Sequence, residues 1–343
     1  MSAALIEFRA PGRVNLIGGH VDFHEGPVVC AAINRFITAG VTPRSDARVR
    51  VTSSDLKGVV ELSADGSSVI GELPRWGRPV AAMLAELADR GRPPVGFEAI
   101  VSSDLAIGGG LSSSAAFEVL MGRVASAVAN WSIPPRELAL AAQAAEHRGT
   151  GVACGIQDQM AIALGGLIHL DCRTLQSRSL QLPAGTALLI ADSGISRQLE
   201  GSPWSARRAD SFAAAQQAGV RVLRDATALQ VADHPQGRHV VSEMARVSAF
   251  TDAVDQGDAV TAGRLMVQSH ESSRDDYGSS IPELDRIVMA ACQLGAYGAR
   301  LTGGGFGGWV VALVPDSRRQ SMAEELSIGL GVAVQGVDIV TSS

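Results

Sequence analysis

Short apolar segments, some alternating and some continuous, open the chain and are cut by Gly and Pro. They predict strands near residues 4–8, 27–33, 38–43 and 49–52. The period then changes. Val80, Met83, Leu84 and Leu87 recur at helical spacing and predict a helix over 79–90. Residues 97–102 read as a strand that delivers the chain to a glycine-rich loop. Beyond the loop, 115–128 place Phe117, Leu120, Met121 and Val124 on a helical repeat, and 135–148 form an Ala-rich helix with Pro near its start. A further strand is expected at 167–171. Leu182-Pro183-Ala184-Gly185 punctuates the chain before a new apolar strand at 187–191. We place a domain boundary there, giving domains 1–183 and 184–343. Helical spacing returns at 205–217, 237–256, 260–269 and 281–294, and 310–314 is an apolar strand. A last helix and strand run to 340. Strands and helices do not strictly alternate, so the fold class is α+β.

Composition narrows the setting. The 343 residues are 46% hydrophobic and 19% charged, enough for a large buried core and too apolar for disorder. A net charge of −6 without a basic cluster argues against a nucleic-acid partner. Cys30, Cys154, Cys172 and Cys292 are scattered, with neither a CxxC pair nor zinc-ligand spacing, and read as reduced thiols. No apolar run approaches the roughly 18 residues of a membrane span, and no leader-like segment opens the chain. A soluble cytoplasmic protein with no membrane partner is expected.

Three stretches carry candidate chemistry. The central one is Gly108-Gly109-Gly110-Leu111-Ser112-Ser113-Ser114-Ala115-Ala116. Glycines let backbone N–H groups crowd an anion, serine hydroxyls suit phosphate oxygens or Mg²⁺, and the helix that follows favours negative charge at its start. It lacks the Gly-Lys-Ser/Thr ending of the common P-loop. The first stretch, residues 10–23, packs Arg13, Asn15, His20 and Asp22 among glycines, donors and acceptors that suit a hydroxyl-rich ligand. Between the second stretch and the chain's end lie two carboxylates in costly places. Glu146 sits near a helix C-terminus, and Asp158 lies in a small, apolar context within Cys154-Gly155-Ile156-Gln157-Asp158-Gln159. The last stretch, Arg300-Leu301-Thr302-Gly303-Gly304-Gly305-Phe306-Gly307-Gly308, precedes an apolar strand. Taken singly, each also fits a bland role: a flexible turn, a solvated hairpin, an exposed acid, a structural glycine loop.

Read in this order, the stretches resemble the GHMP kinase superfamily, and within it the galactokinase family. The resemblance continues through 193–208, 238–242 and 265–284 and spans nearly the whole chain. It implies an N-terminal α+β domain and a C-terminal ferredoxin-like domain with the active site between them. The activity implied is ATP- and Mg²⁺-dependent phosphorylation of a sugar's anomeric hydroxyl. Asp158 matches the family's catalytic aspartate and Arg13 the arginine beside it. Gly108, Gly109, Gly110, Leu111, Ser112, Ser113, Ser114 and Ala115 match its phosphate loop, and Trp76 its adenine-side tryptophan. Glu146, with Ser113 or Ser114, matches its Mg²⁺ ligands. Gly19, His20, Asp22, Gly155 and Trp204, with Arg13 and Asp158, fall at sugar-contacting positions. The partners implied are a small-molecule sugar and MgATP, and the chain is expected to act as a monomer.

Two departures bear on the substrate. The family has glutamate where this chain has Gly19, and tyrosine where it has Trp204. Plant galacturonate kinases resemble this chain in having a small residue at the first position. Loss of a negative charge facing carbon six favours galacturonate over galactose. L-Arabinose, lacking carbon six, would not miss the contact, and galactose itself remains open. Two other classes compete: a non-catalytic sugar and ATP sensor, against which the intact Ser112–Ala116 segment, Arg13 and Asp158 argue, and a kinase for a non-sugar alcohol, against which His20 and Asp22 argue.

Overall fold

The strand that organises the molecule, β2 (Pro27–Pro43), is longer than its pattern suggests. Asn34 and Arg35 interrupt its apolar run, and the sequence reading split it there. In the computed structural model, which describes residues 5–105, 110–196 and 203–341, the polar pair is not a turn. Asn34 exchanges hydrogen bonds with Asp338, and Arg35 donates to Gln335 at 2.6 Å, so the far end of the chain satisfies both. One edge of β2 lies along β1 (Ile6–Ile17), with a bulge between Pro11 and Gly12. Its other edge is shared. β5 (Phe97–Ser103) takes the C-terminal half and β6 (Leu167–Asp171) the N-terminal half. The sheet extends through β3 (Arg48–Ser53) and β4 (Val59–Ser63) on the β5 side and β7 (Ser177–Leu180) on the β6 side. Only β3 with β5 is parallel.

Helices α1 (Arg78–Asp89), α2 (Ser113–Val128), α3 (Pro135–Thr150) and α4 (Gln157–Leu164) pack with one another, and α2 and α4 also pack on β1 and β2. Val80, Met83, Leu84 and Leu87 form the buried stripe of α1, as their spacing required. The sequence reading missed α4, because its first turn is Gln157-Asp158-Gln159 and resembles a loop.

The second sheet contains β8 (Thr186–Asp192), β9 (Gly298–Thr302), β10 (Trp309–Pro315) and β11 (Val334–Val337). Its spatial order is β11-β8-β10-β9, all antiparallel. Helices lie between β8 and β9, and α9 (Arg319–Leu330) lies between β10 and β11. This is the ferredoxin-like β-α-β-β-α-β arrangement, enlarged by α5 (Pro203–Gln217), α6 (Pro235–Asp255) and α7 (Ala259–Ser272) ahead of α8 (Pro282–Gln293). The mixed content confirms the α+β class. The chain passes from the first sheet to the second between Leu180 and Thr186.

The core does not divide at that point. Val310, Ala312 and Val314 of β10 face a core shared with α8 and α9, whereas Trp309, Val311 and Leu313 join the larger core of the first sheet. Both faces of the strand are buried, so it reads as a continuous apolar run rather than an alternation. Among the described residues no helix is long and apolar enough to cross a membrane.

Helix α7 reaches β9 by a backbone approach that admits no side chain. A Cβ on Gly263 would lie 2.1 Å from the Tyr297 carbonyl oxygen, and one on Gly298 1.9 Å from that of Gly263. We expect Gly263→Ala to destabilise by about 1–3 kcal/mol through overpacking. Gly329, inside α9 with open space around it, should gain up to about 1 kcal/mol on changing to Ala. Urea denaturation of the two variants checks the opposite signs.

Candidate active site

Three chain segments meet at one guanidinium. β1 carries Arg13 into the interior, where its Nε and Nη2 each donate to a different oxygen of Asp158 at 2.6 Å. Its Nη1 donates to the Gly110 carbonyl at 2.7 Å. Asp158 lies in the first turn of α4, where the helix favours a carboxylate. Ser112, at the N-cap of α2 in the left-handed conformation (φ 64°), donates its hydroxyl to the same carboxylate. The segments around residues 13, 112 and 158 thus share one network.

A cleft of about 660 Å³ opens over this network. Arg13, Asp158, His20, Asp22, Gly155 and Trp204 are among the residues that line it. His20 takes a left-handed backbone (φ 62°), stacks on Tyr277 at 4.1 Å between ring centres, and sits 3.2 Å from the Ser279 hydroxyl. Asp22 packs against Gly155 so closely that a Cβ there would lie 1.8 Å from a carboxylate oxygen. Burial, and then the charge of Asp158, push Asp22 up to about 6. Trp204 meets Phe23 edge to face at 6.3 Å.

Ser112, Ser113, Ser114 and Ala115 also line the cleft, with Gly110 and Glu146. The N–H groups of the first turn of α2 are without partners inside the helix, which suits an anion. Gly108 and Gly109 lie outside the described residues. Trp76 lines the cleft as well and donates its indole N–H to the Lys57 carbonyl at 3.1 Å. Glu146 is buried and pushed up to about 7, chiefly by burial. Its neighbour Glu118 is wholly buried, and burial with the charge of Glu146 holds it well above the usual carboxylate range. Among the described residues no group of three or more His, Cys, Asp or Glu is placed to hold a metal. A centre of hydroxyl and carboxylate oxygens completed by phosphates remains consistent with that finding.

The structure thus brings most of the sequence-derived residues into one cleft, and Gly19, Leu111 and Ser112 make further contacts of their own. Gly19 is not among the lining residues: a Cβ there would lie 2.5 Å from Nη2 of Arg300 on β9. The Leu111 side chain is packed in the core, while its carbonyl accepts the Arg13 N–H. Ser112, read as a phosphate contact, spends its hydroxyl on Asp158. Two residues escaped the sequence reading. Gln157 accepts from the Asn15 amide at 3.0 Å. Glu118 is the only acid in α2 and stands between Phe117 and Val119, a signal that was available.

Comparison with known proteins agrees with this arrangement. The galactokinase galactose-binding signature matches residues 2–43, the GHMP kinases N-terminal domain residues 78–166, and the GHMP kinases C-terminal domain residues 250–330. A galactokinase of Chloroflexus aggregans is 38% identical over 94% of this chain and 87% of its own length. One of Roseiflexus sp. is 39% identical over 93% and 86%. The crystal structure of Lactococcus lactis galactokinase complexed with galactose superposes with a TM-score of 0.89 at 30% identity, covering 98% of this chain and 94% of the other.

The raised Asp22 has a stability consequence. Between about pH 4, where an unfolded aspartate ionises, and about 6, the folded chain holds a proton that the unfolded chain has released. Stability therefore falls as pH rises through that window, and the penalty persists above it. Asp22→Asn should stabilise the ligand-free protein at pH 7.5 by on the order of 3 kcal/mol at most, read as a higher melting temperature. The gain should vanish toward pH 4. A variant whose difference from the wild type is the same at both pH values contradicts the assignment.

Proposed function

This chain belongs to the galactokinase family of GHMP kinases, and from that premise we propose that it transfers the γ-phosphoryl group of ATP to the anomeric hydroxyl of a galactose-configured sugar. It is a galactokinase-like sugar kinase with ATP and Mg²⁺ as the phosphate donor system. The observation that carries the acceptor assignment is the Arg13–Asp158 pair, placed where the His20–Asp22 turn and the serine loop open on one cleft.

In this reading Asp158 hydrogen-bonds the anomeric hydroxyl and accepts its proton as the oxygen–phosphorus bond forms and the bond to the ADP oxygen breaks. A loose phosphoryl transition state makes orientation of the hydroxyl a large part of the Asp158 contribution. Arg13 holds the carboxylate by two bonds and offsets charge on the moving group. Ser113, Ser114 and the first turn of α2 hold phosphate oxygens. Glu146 and a serine hydroxyl supply hard oxygen donors for Mg²⁺, which neutralises phosphate charge when bound. Trp76 packs against the nucleotide base.

Galactose is the acceptor that the names of the relatives favour. One observation favours a sugar with a carboxylate at carbon six. Arg300 is wholly buried and gives Nη1 to Asn15, while its Nε and Nη2 have no hydrogen-bond partner among the described residues. Nη2 faces Gly19, where the family has glutamate. Arg300 lies behind the cleft wall rather than in it, so in this reading the missing glutamate leaves its positive charge to act on a carboxylate at carbon six through the Gly19 turn. Trp204 reshapes the opposite wall.

Two measurements test the reading. Asp158→Asn should lower turnover roughly 10²–10⁴-fold while calorimetry shows sugar and MgATP still binding; near-normal turnover sinks the catalytic assignment. The second is kcat/KM for galactose, galacturonate and L-arabinose, in wild type and in Gly19→Glu. If Arg300 selects, the wild type prefers galacturonate. Gly19→Glu then reverses the order several-fold, because the new carboxylate pairs with Arg300. A wild type that prefers galactose to both other sugars assigns ordinary galactokinase activity.

A further inference from the structure

The turn that gives the cleft His20 and Asp22 is gripped from behind by a helix with no residue in the cleft lining. Helix α6 carries His239 and Glu243 one turn apart, both wholly buried. Oε1 of Glu243 accepts the N–H of Gly18 at 2.9 Å and of Gly19 at 3.1 Å, together with the Ser269 hydroxyl of α7. Oε2 accepts Nε of Arg246 at 2.7 Å. His239 completes the grip: its Nε2 lies 3.0 Å from the Gly19 carbonyl oxygen. A carbonyl only accepts, so Nε2 carries the hydrogen, and Nδ1 accepts from the Ser272 hydroxyl at 2.9 Å.

Both polar groups of the Gly19 backbone therefore end on α6. Gly18 turns with φ 91°, and a Cβ there would lie 2.9 Å from the Pro27 carbonyl oxygen, so the turn is tight and glycine-bound. Two successive glycines have the largest backbone freedom to lose on folding. Their converging N–H groups form a nest, and an ionised acceptor fills it with charge-assisted bonds. The next residue, His20, is held in the left-handed region that a residue with a Cβ seldom adopts. Its ring is fixed on Tyr277 and its nitrogen on Ser279, both from the segment that follows α7. The backbone of the turn and the ring it presents are thus set by one neighbouring layer.

We propose that Glu243 and His239 are positioning residues for the acceptor sugar: by holding the Gly18–Gly19 backbone they keep His20 and Asp22 facing the cleft, and they contribute sugar affinity without touching the sugar. A loosened turn populates the competent arrangement less, and apparent sugar affinity falls by that fraction while the nucleotide end is untouched. The inference rests on the reading of the His20–Asp22 turn as the sugar end.

The test separates the two substrates. Glu243→Ala, Glu243→Gln, His239→Ala and His20→Ala are compared with the wild type for the dissociation constants of the best-used sugar of the panel above and of MgATP, with melting temperature as the measure of folding. Glu243→Ala should weaken sugar binding roughly tenfold or more, since two buried N–H groups lose their acceptor. MgATP binding should change less than about twofold, as expected when only the competent fraction of the sugar turn changes. Glu243→Gln keeps an acceptor oxygen and should recover most of the loss, and His239→Ala should weaken sugar binding several-fold. If Glu243→Ala does not fold, His239→Ala carries the test. Sugar and MgATP constants moving together with the melting temperature, or a folded His239→Ala with unchanged sugar affinity, overturns the proposal. His20→Ala distinguishes the failures. If it too leaves sugar binding unchanged, the assignment of the turn to the sugar falls; if it weakens sugar binding while His239→Ala does not, only the positioning role falls.

Discussion

Everything at the centre of this molecule depends on satisfying Arg13. The side chain is nearly inaccessible, and an unpaired charge at such depth is not tolerated. Its donors reach Asp158, 145 residues away in sequence, and the Gly110 carbonyl, 97 residues away. The chain cannot bury β1 without also bringing the start of α4 and the end of the glycine loop to it. Folding and assembly of the reactive centre are therefore satisfied by the same bonds. Ser112 adds to this, since its unusual backbone delivers the hydroxyl to Asp158 while turning the chain into α2.

A second set of contacts joins the two sheets. The Asn15 N–H donates to the Thr302 hydroxyl at 2.8 Å, and its side-chain oxygen accepts from Arg300. Asn34 and Asp338 close the opposite side. With the inner faces of β8 and β10 packed in the core of the first sheet, the cleft has a floor built from both halves of the chain.

Much of this was legible in the sequence, and the gaps have physical causes. Helices with a single buried stripe, such as α1, announce themselves. Strands buried on both faces, β8 and β10, show as apolar runs and were found without their partners. The Asn34–Arg35 break in β2 was misread because its partners lie some 300 residues away, and local pattern holds no trace of them. Helix α4 was hidden because its first turn is polar for chemical rather than structural reasons. The residue types at the cleft, Arg13, Asp158, His20, Asp22 and the serines, were readable from their order. The direction in which Gly19 faces, the task of the Ser112 hydroxyl, and the grip of Glu243 were not, since each is fixed by a tertiary neighbour.

The contact between Asp22 and Gly155 sets the order in which such a cleft can change. No side chain of any size fits at 155 while the carboxylate stands against its Cα. Any route to a larger residue there must first pass through a smaller residue at 22, and so through an intermediate that has already given up a polar group facing the acceptor. Enlargement at position 155 waits on a change at position 22, and new acceptor preferences in this scaffold inherit that order of steps.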